Sequence, residues 1–174
     1  PDDADAVPDD QFEQYDRRWV YGASVARHWA LPTAVPIDID AGLQARHDDI
    51  APVGLYLTQA RQRHDTVRED EVRESSVGLY LSSSQQWTRW YRTTLGLRGD
   101  WYSFRTQALD GNSWSGSAKH HLMTPKIGVN YEVVPGIALY ANWGQGFHSN
   151  DTRGVTNPVS PAAGQVRGTF KEVG

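Results

Sequence analysis

The sequence predicts an all-β chain: an antiparallel, up-and-down transmembrane β-barrel segment, incomplete as a barrel. Three observations carry that expectation. Apolar and polar residues alternate at a period of two over stretches of about 9 to 11 residues or more, the length a tilted strand needs to cross hydrocarbon. Short turns near 32–36, 85–90 and 134–136 alternate with long polar connections near 47–72, 107–120 and after 147. One short rim and one long rim is the arrangement of short periplasmic turns and long extracellular loops. Seven Trp and eight Tyr in 174 residues supply amphipathic rings suited to a membrane–water boundary.

Bulk properties narrow the field further. A net charge of -4 and a sequence pI near 5.8 give no general attraction to nucleic acid. The chain has no cysteine, hence no disulfide framework or thiolate metal site. No apolar run is long enough for a membrane-spanning helix, and the mean hydropathy is -0.61. That low value agrees with a barrel, because only alternate residues of each strand face lipid.

Residues 1–10, "PDDADAVPDD", read as an acidic loop or disordered lead-in. Asp2, Asp3, Asp5, Asp9 and Asp10 lack the Gly and Glu spacing of a calcium loop, so no metal site is assigned there. From Phe12 to about Leu31, Trp19, Tyr21, Ala23, Val25 and Trp29 share one parity, opposite Arg18, Gly22, Ser24 and His28. After "PTAVP", Ile37, Ile39, Ala41, Leu43 and Ala45 alternate with Asp38, Asp40, Gly42, Gln44 and Arg46. Residues 47–72 read as a long charged connection with a small hairpin of its own near 53–57.

Val77, Leu79 and Leu81 then alternate with Ser76, Gly78, Tyr80 and Ser82. In "YRTTLGLRGDWYSF", Tyr91, Thr93, Leu95, Leu97, Gly99 and Trp101 oppose Arg92, Thr94, Gly96, Arg98, Asp100 and Tyr102. Residues 107–120 form a second polar loop, with Asp110, Gly111 and Asn112 as turn residues. Ile127, Val129, Tyr131 and Val133 oppose Lys126, Gly128, Asn130 and Glu132, and beyond "VPG" come Ile137, Leu139, Ala141 and Trp143. The count is about six strands against at least about eight in a single-chain barrel. The chain therefore reads as a slice of a larger barrel, with both ends looking cut.

The run "MTPKIGVNYEVVPGIALYANWGQGFHSNDTRG", Met123 to Gly154, resembles the TonB-dependent outer-membrane receptors. The matching pieces are Pro125-Lys126-Ile127-Gly128, Leu139-Tyr140-Ala141-Asn142, and Gly144, Gly146 and Phe147. Upstream, "QWTRWYRTTLGLRGDWYSF" is similar to the family's turn followed by a Leu-Arg-x-Asp strand. The resemblance covers most of the chain from about residue 11 onward.

The resemblance implies the barrel wall of a transporter in the bacterial outer membrane that imports a scarce ligand such as an iron–siderophore complex. The implied partners are outer-membrane lipid, the rest of the receptor with its plug domain, the TonB complex through that plug, and a small-molecule ligand such as a metal chelate. A plug, a TonB-contacting segment and a closing C-terminal strand are not recognised in these 174 residues, so residues 1–174 are expected to form part of one barrel domain.

Lumen-facing candidates for ligand or plug contact are Arg46, Arg92, Arg98, Asp100 and Tyr102, all on the polar parity. For Arg98 and Asp100, two apart on one face, a lumenal ion pair is the plain reading. His120 and His121 are placed in a solvated loop, and no cofactor is expected. No catalytic constellation is recognised: Ser24 and His28 are too far apart on their strand, and no Gly-x-Ser-x-Gly elbow occurs. The runner-up is a soluble or secreted, lectin-like β-sandwich, whose greasy face would pack on a second sheet.

Overall fold

The computed structural model describes residues 11–59, 61–111, 113–149, 152–160, 162 and 165–174. The acidic lead-in of residues 1–10 lies outside them. The elements are β1 (Gln11–Leu31), β2 (Ile37–Gln59), β3 (Gln62–Thr88), β4 (Tyr91–Ala108), β5 (Gly116–Val134), β6 (Ile137–Ser149), the one-turn helix α1 (Thr152–Val155) and β7 (Gln165–Val173). The strands form one sheet in chain order, every neighbouring pair antiparallel. This is the up-and-down meander expected, open at β1 and β7, an incomplete barrel.

Three sequence expectations need correction. Residues 47–72 are not a loop: β2 runs 23 residues and β3 runs 27, joined at 60–61, where Arg61 has φ 64°. Beyond the hydrocarbon both faces of a strand are wet, so the apolar alternation disappears while the backbone ladder continues. Ion pairs hold this extension, with Arg63 bridging to Glu13 at 2.7 Å and Arg73 to Asp49 at 3.9 Å. The second polar connection likewise shrinks to 109–115, and His120 and His121 sit within β5 on opposite faces rather than in a loop. The strand count rises to seven, because "QVRGTFKEV" pairs with β6 as β7.

Register aligns side chains into rows across the sheet. One such row joins Val25, Leu43, Leu79, Gly99 and Met123, and the next joins Arg27, Ala41, Leu81, Leu97 and Pro125. Leu43, Leu79, Leu81, Leu95, Leu97, Met123, Ile127 and Leu139 on this outer face are all exposed. No second sheet covers them among the described residues, which form one sheet rather than a sandwich. On β5 the belt runs from Met123 to Val133, a rise of roughly 33 Å along the strand and about 25 Å after a 40° tilt, matching a membrane barrel's apolar band. Trp29, Trp87, Trp90 and Tyr131 rim it on the short-turn side; Trp19, Tyr21 and Trp101 rim it on the other.

The inner face is the buried one through the middle of the sheet. Phe104 and Asp70 are fully buried, and Asp100 and Thr106 are nearly so. Ring packing against glycine recurs: a Cβ on Gly42 would lie 2.5 Å from the Tyr80 ring on the adjoining strand. The β5–β6 turn needs Gly136 for its φ of 87°.

Candidate functional site

The inner wall carries the same two-residue device on three adjacent strands. Arg46–Asp48 on β2, Arg68–Asp70 on β3 and Arg98–Asp100 on β4 each pair across one residue. Residues i and i+2 of a strand share a face, so Arg-x-Asp folds its guanidinium back on its own carboxylate without help from a neighbour. Arg98 is bidentate, Nε to Oδ2 at 2.8 Å and Nη2 to Oδ1 at 2.7 Å, and its Nη1 donates to Gln44 Oε1 at 2.9 Å across two strands. Arg46 grips Asp48 the same way, at 2.9 Å through both Nε and Nη2.

Rings lie beside these pairs. Tyr102 stacks on Phe104 with centroids 5.8 Å apart, Phe147 meets Tyr102 edge-on at 5.8 Å, and His120 meets Phe104 at 6.0 Å. Arg68 lies 3.9 Å over the Trp114 ring. Arg68 Nη2 and Asp70 Oδ1 are buried without a hydrogen-bond partner among the described residues.

The chain after β6 turns inward and docks on this wall. Thr152 donates to Glu74 at 3.2 Å, Thr156 donates to Thr106 at 2.8 Å, Trp114 Nε1 donates to the Arg153 carbonyl at 3.3 Å, and Val155 is buried. This strap borders a cavity of about 760 Å³ lined by Gln14, Asp16, Leu55, Arg68, Trp114 and Arg153. Beyond the apolar belt, Arg63 holds the Glu13 carboxyl below the usual carboxylate range, while burial and the Glu69 carboxylate push the Tyr56 phenol up.

Of the five residues singled out from sequence, Arg46, Arg98, Asp100 and Tyr102 converge on adjoining rows: Arg46 with Tyr102 through Ser76, and Asp100 beside Gly78. Arg92 does not join them. It lies six residues back along β4, roughly 20 Å away, and donates to Gln86 at 2.7 Å near the short-turn rim. Sequence reasoning missed Asp48, Arg68, Asp70, Glu74, Phe104 and Trp114. Arg-x-Asp spacing was a usable signal for the first three; nothing local marked the others. His28, left unassigned, pairs with Asp40 at 2.9 Å. Among the described residues no group of three or more His, Cys, Asp or Glu side chains is arranged to hold a metal ion. The inner wall can donate and accept hydrogen bonds and stack rings.

A family model described as "TonB dependent receptor-like, beta-barrel" matches residues 2–172. No curated protein matches the chain.

Proposed function

The chain belongs to the TonB-dependent receptor-like β-barrel family, and on that premise we propose that it forms part of the wall of an outer-membrane transporter importing a scarce ligand such as an iron–siderophore complex. The observation that carries the reading is the opposition of the two faces. An exposed apolar belt faces outward, while an inner wall of ion pairs, rings and a cavity of about 760 Å³ faces the lumen. Lipid satisfies the first face, and a hydrated passage satisfies the second.

The backbone edges of β1 and β7 fit the same reading. An unpaired N–H or C=O in hydrocarbon costs several kcal/mol, so both strands take partners from the remainder of the receptor. Within the closed wall, Arg46, Arg98, Asp100 and Tyr102 face the plug or the passing ligand, and energy reaches them through the plug and the TonB complex. The chain acts by binding and guiding rather than by making or breaking bonds, in keeping with a family of transporters.

Uptake of radioiron supplied as ferric siderophores tests this, in iron-starved source cells with and without an in-frame interruption in the coding sequence for residues 11–174. Loss of uptake of one chelate class is expected. Undiminished uptake of every ferric siderophore would remove that substrate class, and recovery of the protein outside the outer-membrane fraction would remove the transporter reading.

A further inference from the structure

Where the outer apolar belt ends, the wall carries a groove that transport does not require. It measures about 440 Å³ and lies against Ser75, Val77, Trp101, Ser103 and Lys119. The register explains its character. Ala45, Val77, Trp101 and His121 form one row, and His47, Ser75, Ser103 and Lys119 form the next toward the long-strand rim. Arg73 and Arg105 stand opposite each other one row beyond. On β3 and β4 the surface passes within four residues from apolar, through hydroxyl, to cationic: Val77, Ser75 and Arg73 on one strand, Trp101, Ser103 and Arg105 on the other.

The cations differ in their partners. Arg73 is taken up by Asp49 and Glu71, the carboxylates nearest on this face. Arg105 and Lys119 are exposed and make no hydrogen bond or ion pair among the described residues. One unpaired cation level with the hydroxyls and another a row beyond them, above an indole ring and a valine, match one kind of molecule in charge and polarity: phosphate on top, acyl chain below.

We propose that this groove holds a phosphate-bearing anionic lipid of the leaflet at the long-strand rim. Its phosphate lies between Arg105 and Lys119 beside the Ser103 hydroxyl, the Ser75 hydroxyl being 2.8 Å from His47 Nδ1, and its acyl chains run down Val77 and Leu79. The proposal rests on the membrane reading above.

The test uses the receptor containing this wall, purified in neutral detergent and titrated with phosphatidic acid or with phosphatidylcholine of the same chains. Native mass spectrometry counts the bound lipid. Phosphatidic acid binds more tightly to the unaltered receptor, and Arg105→Gln with Lys119→Gln weakens it about thirtyfold while phosphatidylcholine binding stays the same. Arg73→Gln, which removes a cation already paired, changes it by less than about threefold. Equal affinity for the two lipids, an unchanged double variant, or displacement by inorganic phosphate would each overturn the site. Flotation with phosphatidylcholine vesicles separates the two readings: a receptor that floats but shows no headgroup preference loses only the lipid site, and one that does not float loses the membrane reading as well.

Discussion

A Cβ placed on Gly78 would lie 2.4 Å from Arg98 Nη2 and 2.6 Å from Asp100 Oδ1. The guanidinium is held bidentately and Asp100 is buried, so it yields only by leaving its carboxylate. Gly78→Val is expected to cost roughly 2 kcal/mol, the worth of a charged hydrogen-bonded contact. Urea unfolding followed by tryptophan fluorescence measures it, and a change below a few tenths of that size would show that the pair tolerates displacement.

Removing one partner of that pair is worse than removing both. Arg98→Met leaves the nearly fully buried Asp100 carboxylate without a counter-charge, at a cost of about 3 kcal/mol. The double replacement Arg98→Met with Asp100→Leu recovers most of that loss, because two apolar side chains need no solvation. Equal losses in the single and double variants would contradict the uncompensated-charge argument.

The strap over the inner wall is held by Thr152 on Glu74 and Thr156 on Thr106. Thr152→Val together with Thr156→Val removes both hydroxyls at nearly constant volume and frees the buried Val155. Residues 1–174 hold no cysteine, so within this wall a Val155→Cys reporter reads the change directly. Maleimide labels it slowly in the parent and at least about tenfold faster once the strap is released, an expectation taken from the loss of two hydrogen bonds.

Arg27 stands on the outer face in the row of Ala41, Leu81 and Leu97, inside the apolar belt, with Trp29 5.7 Å from its guanidinium carbon. A lipid-facing arginine costs about 2–4 kcal/mol at the bilayer midplane and about 0–1 near the interfaces, and Arg27 lies two residues from Trp29 at the rim. Arg27→Leu is expected to stabilise the receptor in lipid vesicles by up to about 1 kcal/mol, read from the urea midpoint. A neutral or destabilising outcome would mean that protein, not lipid, meets this side of β1.

The Glu13–Arg63 bridge lies on the strand extension outside the belt, and Arg63 lowers the Glu13 pKa. A lowered carboxylate contributes stability above its unfolded pKa and loses that contribution as pH falls through the lower folded value. Acid titration of the parent and of Glu13→Gln is therefore expected to converge at low pH and to separate toward neutrality, with the parent more stable there. A gap that widened on acidification would reverse the sign and remove the bridge as its cause.

The strands inside the belt were legible in the sequence because neighbours two apart share a face whatever the rest of the chain does. That local rule located Leu79, Leu95 and Ile127 on the outside and put Arg98 and Asp100 together. It failed for residues 47–72, where water on both faces erased the alternation although the ladder of β2 and β3 persists.

By itself, the sequence determined the all-β class, the two unlike faces and the Arg98–Asp100 pair, since each depends on residues within one strand. Only the tertiary structure decided that Arg46 and Tyr102 share a row while Arg92 stands apart, that Arg68 lies on Trp114, and that Thr152 reaches Glu74 across 78 positions. Those relations depend on register between strands, which turns and β-bulges set, and on a strap whose docking no local pattern encodes.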